Sequence, residues 1–187
     1  LIYVNWQTYI IATLTGHVIE ASLGYFINPI VTVLLGVFVL RERLRATQWV
    51  AVGLAVAAVI VLVVAYGAFP WMALTLAASF GAYGLVKKKV GPRVDALSGL
   101  AIESLWITPI AIVQLVVVGV TTGLTFGTAG VGHTLLLAAS GVVTAIPLLL
   151  FAAGARRAPL TLVGLLQMAF TSFMFMGAAQ GDVTLAA

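Results

Sequence analysis

One segment of an otherwise apolar sequence carries residues that could bind a solute or a proton. The segment "GHVIEASLGYFINPIVTVLLG", residues 16–36, contains an imidazole, a carboxylate, a carboxamide and a helix breaker, namely His17, Glu20, Asn28 and Pro29. At ~100° per residue on a helix, the side chains of His17, Glu20, Gly24 and Asn28 project within about 80° of one another. This polar stripe has two open interpretations: it bonds neighbouring helices beside a proline kink, or it lines a substrate pathway.

The depth of each residue along the helix limits the roles that it could have. If the helix begins near residue 18, Asn28 lies roughly 15 Å deep, where a carboxamide without a partner costs a few kcal/mol. Pro29 removes one backbone N–H and frees carbonyl groups that a ligand could use. His17 and Glu20 lie nearer the outer end, where solvation at the mouth is an alternative role. As metal ligands they supply only two of the usual three or four, so no metal site is predicted.

A second acidic residue lies inside a predicted span. In "DALSGLAIESLW", Asp95 is expected to cap a helix, and Glu103 follows about 12 Å further in. An acid at that depth marks a pathway or a proton relay, or else bonds a neighbouring Ser, Thr or Trp, and both roles stay open. Further candidates are Tyr9, with Asn5 and Gln7, on the first span and Thr144 with Pro147 on the sixth. Glu42, among three arginines, is expected to form an ion pair within its loop.

The composition places the chain in a membrane. Of its 187 residues 63% are hydrophobic and only 7% are charged, whereas soluble domains carry roughly 25% charge. Apolar runs of about 20 residues recur, each long enough to cross a bilayer core of roughly 30 Å. Catalytic and phosphate-binding motifs are absent from the sequence, so we predict neither an enzyme nor a cofactor. We therefore expect an all-α, polytopic membrane protein.

Basic residues define the orientation of the predicted spans. Short loops with polar residues, Gly or Pro separate the apolar runs. They place seven spans near 1–16, 18–40, 47–66, 70–88, 96–119, 133–155 and 159–179. All nine Lys and Arg fall in alternate loops, at residues 41–45, 87–93 and 156–157. Since cytoplasmic loops retain Lys and Arg, these loops are predicted to face the cytoplasm of a cell inner (plasma) membrane. The positive charge thus reflects topology and anionic headgroups, and no nucleic-acid partner is expected.

Two segments of the chain echo each other. Without gaps, "ASLGYFINPI" (21–30) aligns with "LTLVGLLQMA" (160–169), which sets Ser22 on Thr161 and Asn28 on Gln167. An odd number of spans separates the copies, so they cross the bilayer in opposite directions. Inverted repeats of this kind are typical of secondary transporters, whose sites lie near the midplane where the repeats meet.

Several motifs resemble one transporter family. They are "GHVIEASLGYFINP", "LRERLRATQWVAVGLA", "FGAYGLVKKKV", "DALSGLAIE" and "VVTAIPLLLFAAGARRAPLTLVGLLQ", and they extend to about residue 167. They resemble the EamA-type part of the drug/metabolite transporter superfamily, and within it the RarD group, often labelled chloramphenicol-sensitivity proteins.

The resemblance implies ten helices built as two inverted five-helix halves. Against that pattern the chain corresponds to helices three to nine, so we expect a fragment with two helices missing in front and one behind. Residues 1–66 would end the first repeat, and residues 67–187 would form most of the second. The end "MAFTSFMFMGAAQGDVTLAA" departs from the family pattern, which indicates a truncation or a shifted reading frame.

The resulting hypothesis is a secondary transporter or exporter of small organic solutes that works by alternating access. Its pathway would run between the helix bearing His17–Asn28, the helix bearing Glu103 and the repeat partner bearing Gln167. Candidate bends are Pro29, Pro109 and Pro147. Expected partners are a solute, the lipid bilayer, protons as coupling ion, and a second copy in a homodimer. The alternatives are a truncated or non-transporting membrane protein and, with less support, an intramembrane enzyme.

Overall fold

The chain is all-α in a computed structural model. It describes residues 1–123, 126–127 and 130–185, with backbone only from residue 173 onward. Within these ranges there are seven helices and no strand: α1 (Ile2–Leu14), α2 (Val18–Phe38), α3 (Ala46–Tyr66), α4 (Trp71–Val90), α5 (Ala96–Thr121), α6 (Val131–Arg157) and α7 (Leu160–Leu185). Part of the predicted loop at 120–132, namely residues 124–125 and 128–129, lies outside the described residues.

The seven predicted spans coincide with the seven helices, and all ends but one agree within two residues. The predicted end at 179 differs more, since α7 ends at Leu185. In the part of the chain that was searched, α2, α3, α5 and α6 are long and apolar enough to cross a membrane. Because α1 has only 13 residues, it is about 20 Å long and shorter than a bilayer core of roughly 30 Å. The protein is a polytopic helical membrane protein, as predicted.

The helices form two compact units. The first consists of Leu1–Lys89 and Arg157–Ala187, and the second of Val90–Arg156. In the first unit α2 is the central helix, because it packs against α1, α3 and α7 and, through its glycine faces, against α4. About half of its 21 residues are buried. The predicted repeat boundary between residues 66 and 67 stays a prediction, because a compact unit need not coincide with a repeat.

Small residues let α2 and α4 approach each other closely. A Cβ atom on Gly24 would lie 3.0 Å from the Cβ of Leu76, and one on Gly81 would lie 2.8 Å from a methyl of Val31. Leu23 and Ile27 of α2 pack with Ala73 and Ala77 of α4 in one buried cluster. Such small-residue contacts are the usual way in which helices associate in lipid, where apolar burial gives no driving force between them.

A polar side chain ties α1 to the same helix. The Asn5 amide Nδ2 donates to the Leu76 carbonyl at 2.9 Å and to the Ser79 hydroxyl at 3.1 Å. Asn5 was a candidate pathway residue, and the structure gives it an interhelical hydrogen-bonding role.

Helices α2 and α7 run antiparallel in close contact. A Cβ on Gly164 would lie 2.6 Å from a methyl of Val33 and 2.8 Å from the Pro29 carbonyl oxygen, and one on Gly36 would lie 2.8 Å from the Thr161 methyl. Earlier residues of α7 therefore meet later residues of α2. This contact joins the two helices that carry the sequence echo.

The second unit contains α5 and α6. Asp95 caps α5 as predicted, since its Oδ1 accepts the Ser98 N–H at 2.8 Å. Hydrogen bonding with the Ser98 hydroxyl, and secondly with its backbone N–H, lowers the pKa of the Asp95 carboxyl. The Arg156 Nε donates to the Gly91 carbonyl at 2.8 Å, which joins the end of α6 to the segment that precedes α5.

Adding one methyl at Gly164 should destabilise the first unit. Because the new Cβ would overlap the Pro29 carbonyl, which is backbone and cannot rotate away, we expect Gly164→Ala to cost about 1–3 kcal/mol of unfolding free energy. The measurement is helix loss of the purified protein during titration with sodium dodecyl sulfate. The control is Gly53→Ala on α3, where nothing lies within 4 Å and the substitution should leave stability equal or higher. Equal destabilisation by both variants would contradict the close α2–α7 contact.

Candidate functional site

A buried carboxylate joins three helices at the first end of α2. Glu20 is only 3% exposed, and its Oε1 accepts the Tyr66 hydroxyl of α3 at 2.9 Å. Its Oε2 accepts the Met72 backbone N–H at 3.0 Å, in the first turn of α4. A carboxylate there satisfies a helix N-terminal donor and faces the positive end of the helix dipole. The alternative that Glu20 is solvated at the mouth of a pathway is therefore wrong. Its carboxylate instead joins α2 to α3 and α4, and we call such a carboxylate link between helices a clasp.

A second carboxylate clasp lies at the other end of α2. Arg41 adopts a positive φ of 56°, and the Glu42 N–H donates to the Gly36 carbonyl at 3.1 Å, so the chain turns back on the helix. The Glu42 carboxylate then accepts the first two N–H groups of α7, from Leu160 and Thr161, each at 2.8 Å. Rather than the ion pair predicted within its loop, Glu42 provides the N-terminal cap of a helix 118 residues further along the chain.

The basic segments of the first unit meet at this second end of α2. The loop at 41–45 touches the start of α7 through Glu42, and the Lys88 Nζ at the end of α4 donates to the Ala158 carbonyl at 2.6 Å. Lys87 is buried in the same turn, 5.3 Å from the centroid of the Tyr83 ring. Their proximity supports the predicted alternation of basic loops, while the side of the bilayer they face stays a prediction.

Between the two clasps, two buried amide oxygens lack hydrogen-bond donors within the described residues. The Asn28 Oδ1 on α2 and the Gln167 Oε1 on α7 are both inaccessible and accept no hydrogen bond. The contacts of Gly36 with Thr161 and of Gly164 with Pro29 and Val33 set the helix register. One further turn along α7, about 5 Å, brings Gln167 to the level of Asn28. The pair that the sequence echo aligns is therefore level in the fold.

The backbone beside Asn28 is also short of a donor. Pro29 lies inside α2 and has no N–H for the Tyr25 carbonyl, which a regular helix would bond. One turn later the Thr32 hydroxyl donates to the Asn28 carbonyl at 2.9 Å. The centre of α2 thus contains two acceptors without a donor from the helix, the Asn28 side-chain oxygen and the Tyr25 backbone carbonyl. Helices α4 and α7 pack closely around this helix.

The remaining predicted pathway residues have distinct positions. His17 is exposed, precedes α2 as its N-cap residue, and its Nδ1 lies 2.9 Å from the Thr15 hydroxyl. Tyr9 packs edge-on against Tyr25, with ring centroids 6.1 Å apart. Gly24 faces α4, and Glu103 belongs to the second unit, on α5. Pro29, Pro109 and Pro147 all lie inside helices, and their role as bends stays a prediction. These pathway roles stay predictions.

Glu42 is the residue whose role the sequence could least reveal. Its partners are backbone amides, which carry no sequence signature, and they lie beyond four further helices. A weak signal exists in "RRAPLT", where Pro159 precedes a helix start without an acidic residue of its own. The first N–H groups of a helix that starts in this way need an acceptor from another part of the chain if water does not reach them. In the residues described there is also no cluster of three or more His, Asp or Glu that could hold a metal.

Comparisons with known proteins identify close relatives. The chain is 50% identical over 175 residues to "Protein RarD" of Streptomyces exfoliatus, which covers 94% of this chain and 55% of that protein. It is 48% identical over 167 residues to "Uncharacterized transporter YojE" of Bacillus subtilis, covering 89% of this chain and 55% of the relative. It is 43% identical over 172 residues to "Protein RarD" of Escherichia coli, covering 92% and 57%.

The chain therefore spans somewhat more than half the length of the curated relatives it matches. No protein-family model matches the chain. No solved structure matches it. The relatives named RarD confirm the resemblance that the motifs indicated.

Removing the Glu42 carboxylate should loosen the start of α7. Two charge-assisted hydrogen bonds are lost in Glu42→Ala, so we expect a loss of about 2 kcal/mol in unfolding free energy. Amide hydrogen exchange at Leu160 and Thr161 should also become faster. Glu42→Gln keeps one acceptor and should lie between the wild type and the alanine variant. Unchanged exchange at both amides in Glu42→Ala would show that this carboxylate does not cap α7.

Proposed function

This chain belongs to the RarD group, and from that premise we propose that it forms part of a secondary transporter of small organic solutes. The proposal rests chiefly on two buried amide oxygens without hydrogen-bond donors, Oδ1 of Asn28 and Oε1 of Gln167, on helices that pack together. Leaving a buried polar atom unpaired costs about 1–3 kcal/mol, so a helix contact built only for stability would avoid two of them at one level. A solute that bonds these amides would offset that cost.

The arrangement around α2 suits a site that must stay in place while its surroundings move. Carboxylate clasps at Glu20 and Glu42 fix the two ends of the helix, and the unpaired groups lie between them. In transporters built from inverted repeats, substrate sites lie near the midplane beside interrupted helices. In our proposal, residues 1–66 and 67–187 belong to opposite repeats, and Asn28 and Gln167 are equivalent residues of one solute site.

The same proposal assigns the orientation in the membrane. The chain would lie in the cell inner membrane, with the loops at 41–45, 87–93 and 156–157 in the cytoplasm, because Lys and Arg are retained there. Amides and carbonyls bind and orient a solute but supply no nucleophile, which favours transport over catalysis. Proton coupling through Glu103 or Glu20, and a homodimer, stay predictions.

Replacing Asn28 with an apolar residue of similar size distinguishes a solute site from a helix contact. If Asn28 serves the solute, Asn28→Leu removes an unpaired amide and should leave stability equal or higher. Accumulation of chloramphenicol, the solute after which the group is labelled, should fall about tenfold in vesicles that contain the complete protein, for a lost bond of about 1.4 kcal/mol. The control is Ile27→Leu, a conservative change at the neighbouring buried position. A destabilised Asn28→Leu protein with unchanged accumulation would assign Asn28 to helix bonding instead.

Solute access to the site can be measured by cysteine labelling. The sequence contains no cysteine, so a single introduced thiol is the only one that reacts. We expect cysteines at Asn28 and at Gln167 to react with a membrane-impermeant methanethiosulfonate cation, because a pathway admits water. The control is Val33→Cys, at a fully buried packing position of α2, which should remain unlabelled. Equal resistance of all three cysteines would contradict the pathway.

A further inference from the structure

A positively charged cleft lies at the end of α2 that Glu42 clasps, away from the amide pair. It has a volume of about 390 Å³ and is open to the outside. Besides Glu42, it is lined by side chains from the 41–45 loop and the starts of α3 and α7, which are Arg43, Arg45, Gln48, Pro159, Thr161 and Leu162. All of them belong to the first unit.

The electrostatics of the cleft favour an anion. Arg43 and Arg45 supply two guanidinium groups, and both residues are exposed. The N-termini of α3 and α7 meet at the same place. The start of α3 contributes the positive end of its helix dipole, whereas the start of α7 is already bound by the Glu42 carboxylate. Glu42 is the one acidic residue in the lining, and both of its oxygens are bound to the first amides of α7. The first turn of α3 has no acidic residue of its own.

The polar groups present match a phosphate. Guanidinium groups bind phosphate oxygens in a bidentate geometry, and the Thr161 hydroxyl adds a further donor. The Gln48 Oε1 accepts the Arg45 backbone N–H at 2.8 Å, and the NH₂ group of the same amide carries two further N–H donors. Pro159 and Leu162 give the cleft an apolar wall beside these groups.

The location of the cleft favours a lipid as the source of that phosphate. It lies where α2 ends and α3 and α7 begin, and α2 and α3 are apolar helices long enough to cross the bilayer. Headgroup phosphates occupy this depth, and an apolar wall next to the charged groups suits the glycerol and the first part of an acyl chain. A free phosphate has no apolar part that could contact this wall.

We propose that this cleft binds the phosphodiester headgroup of an anionic phospholipid. The bound lipid bridges the 41–45 loop and the start of α7, the same two segments that Glu42 joins. It therefore reinforces that clasp from the membrane side. The proposal does not depend on transport, because it concerns a different end of α2 and a different ligand.

The experiment compares lipids retained by the purified protein. The protein is reconstituted into phosphatidylcholine vesicles with or without phosphatidylglycerol and then extracted. Native mass spectrometry identifies and quantifies the lipids that stay bound to it. We expect phosphatidylglycerol to be retained at least about tenfold over phosphatidylcholine. Both lipids carry a phosphodiester that the guanidinium groups can bind, but the choline ammonium of phosphatidylcholine adds a positive charge beside Arg43 and Arg45. The double variant Arg43→Gln with Arg45→Gln should lose that preference, and Arg43→Gln alone should lose part of it. Both residues are exposed, and folding is checked by the same helix-loss titration.

The control removes the same charge from another basic segment. Lys89 and Arg93 are exposed and do not line the cleft, so Lys89→Gln with Arg93→Gln should keep the preference. Equal losses in the two double variants would show that only general charge attracts the lipid and would overturn the proposal. Displacement of phosphatidylglycerol by millimolar inorganic phosphate would assign the cleft to a free phosphate and also overturn it. A wild-type protein that retains both lipids equally has no such site.

Discussion

The first unit depends on two carboxylates that accept backbone N–H groups from the starts of neighbouring helices. Where a helix start is buried, no water reaches its first amides, so these need an acceptor from within the protein. Glu20 supplies one to α4, and Glu42 supplies one to α7. Because one residue lies near the start of α2 and the other just beyond its end, the two bonds fix this helix at both ends. A charged acceptor also suits the positive helix dipole, which explains why carboxylates are tolerated at these positions.

The centre of α2 follows the opposite rule. Glycines on both sides of it admit α4 and α7 to backbone distance, and the polar groups there are left unpaired. Close packing and unsatisfied polarity seldom occur together in a part that serves stability alone, since each unpaired group has a cost. Along one helix, the fixed ends hold the unit together, and the centre carries the unpaired oxygens on which the proposed solute site depends.

The sequence predicted the helices well because their signals are local. Apolar runs of bilayer length, the Asp95 cap and the prolines all act within one helix, and the structure has them where they were expected. The roles of the acids were harder to predict, since Glu20 and Glu42 bind backbone atoms far along the chain, and any helix start can supply such atoms. Asn28 and Gln167 lie between these cases. Their alignment in the sequence echo indicated a relation, but only the register of α2 on α7 brings them to one level.

That register has a consequence for how a solute could reach the amides. In the inverted repeat that we propose, Asn28 and Gln167 are equivalent residues, and equivalent residues of two antiparallel helices lie level only near the crossing point. Relative tilting of the helices displaces their ends most and the crossing point least. The clasp at Glu42 and the contact of Gly164 with Pro29 resist separation on one side of this point. A solute site at the amides would accordingly keep its geometry while access to it opens, and access would come from the faces of the helix pair that these contacts leave free.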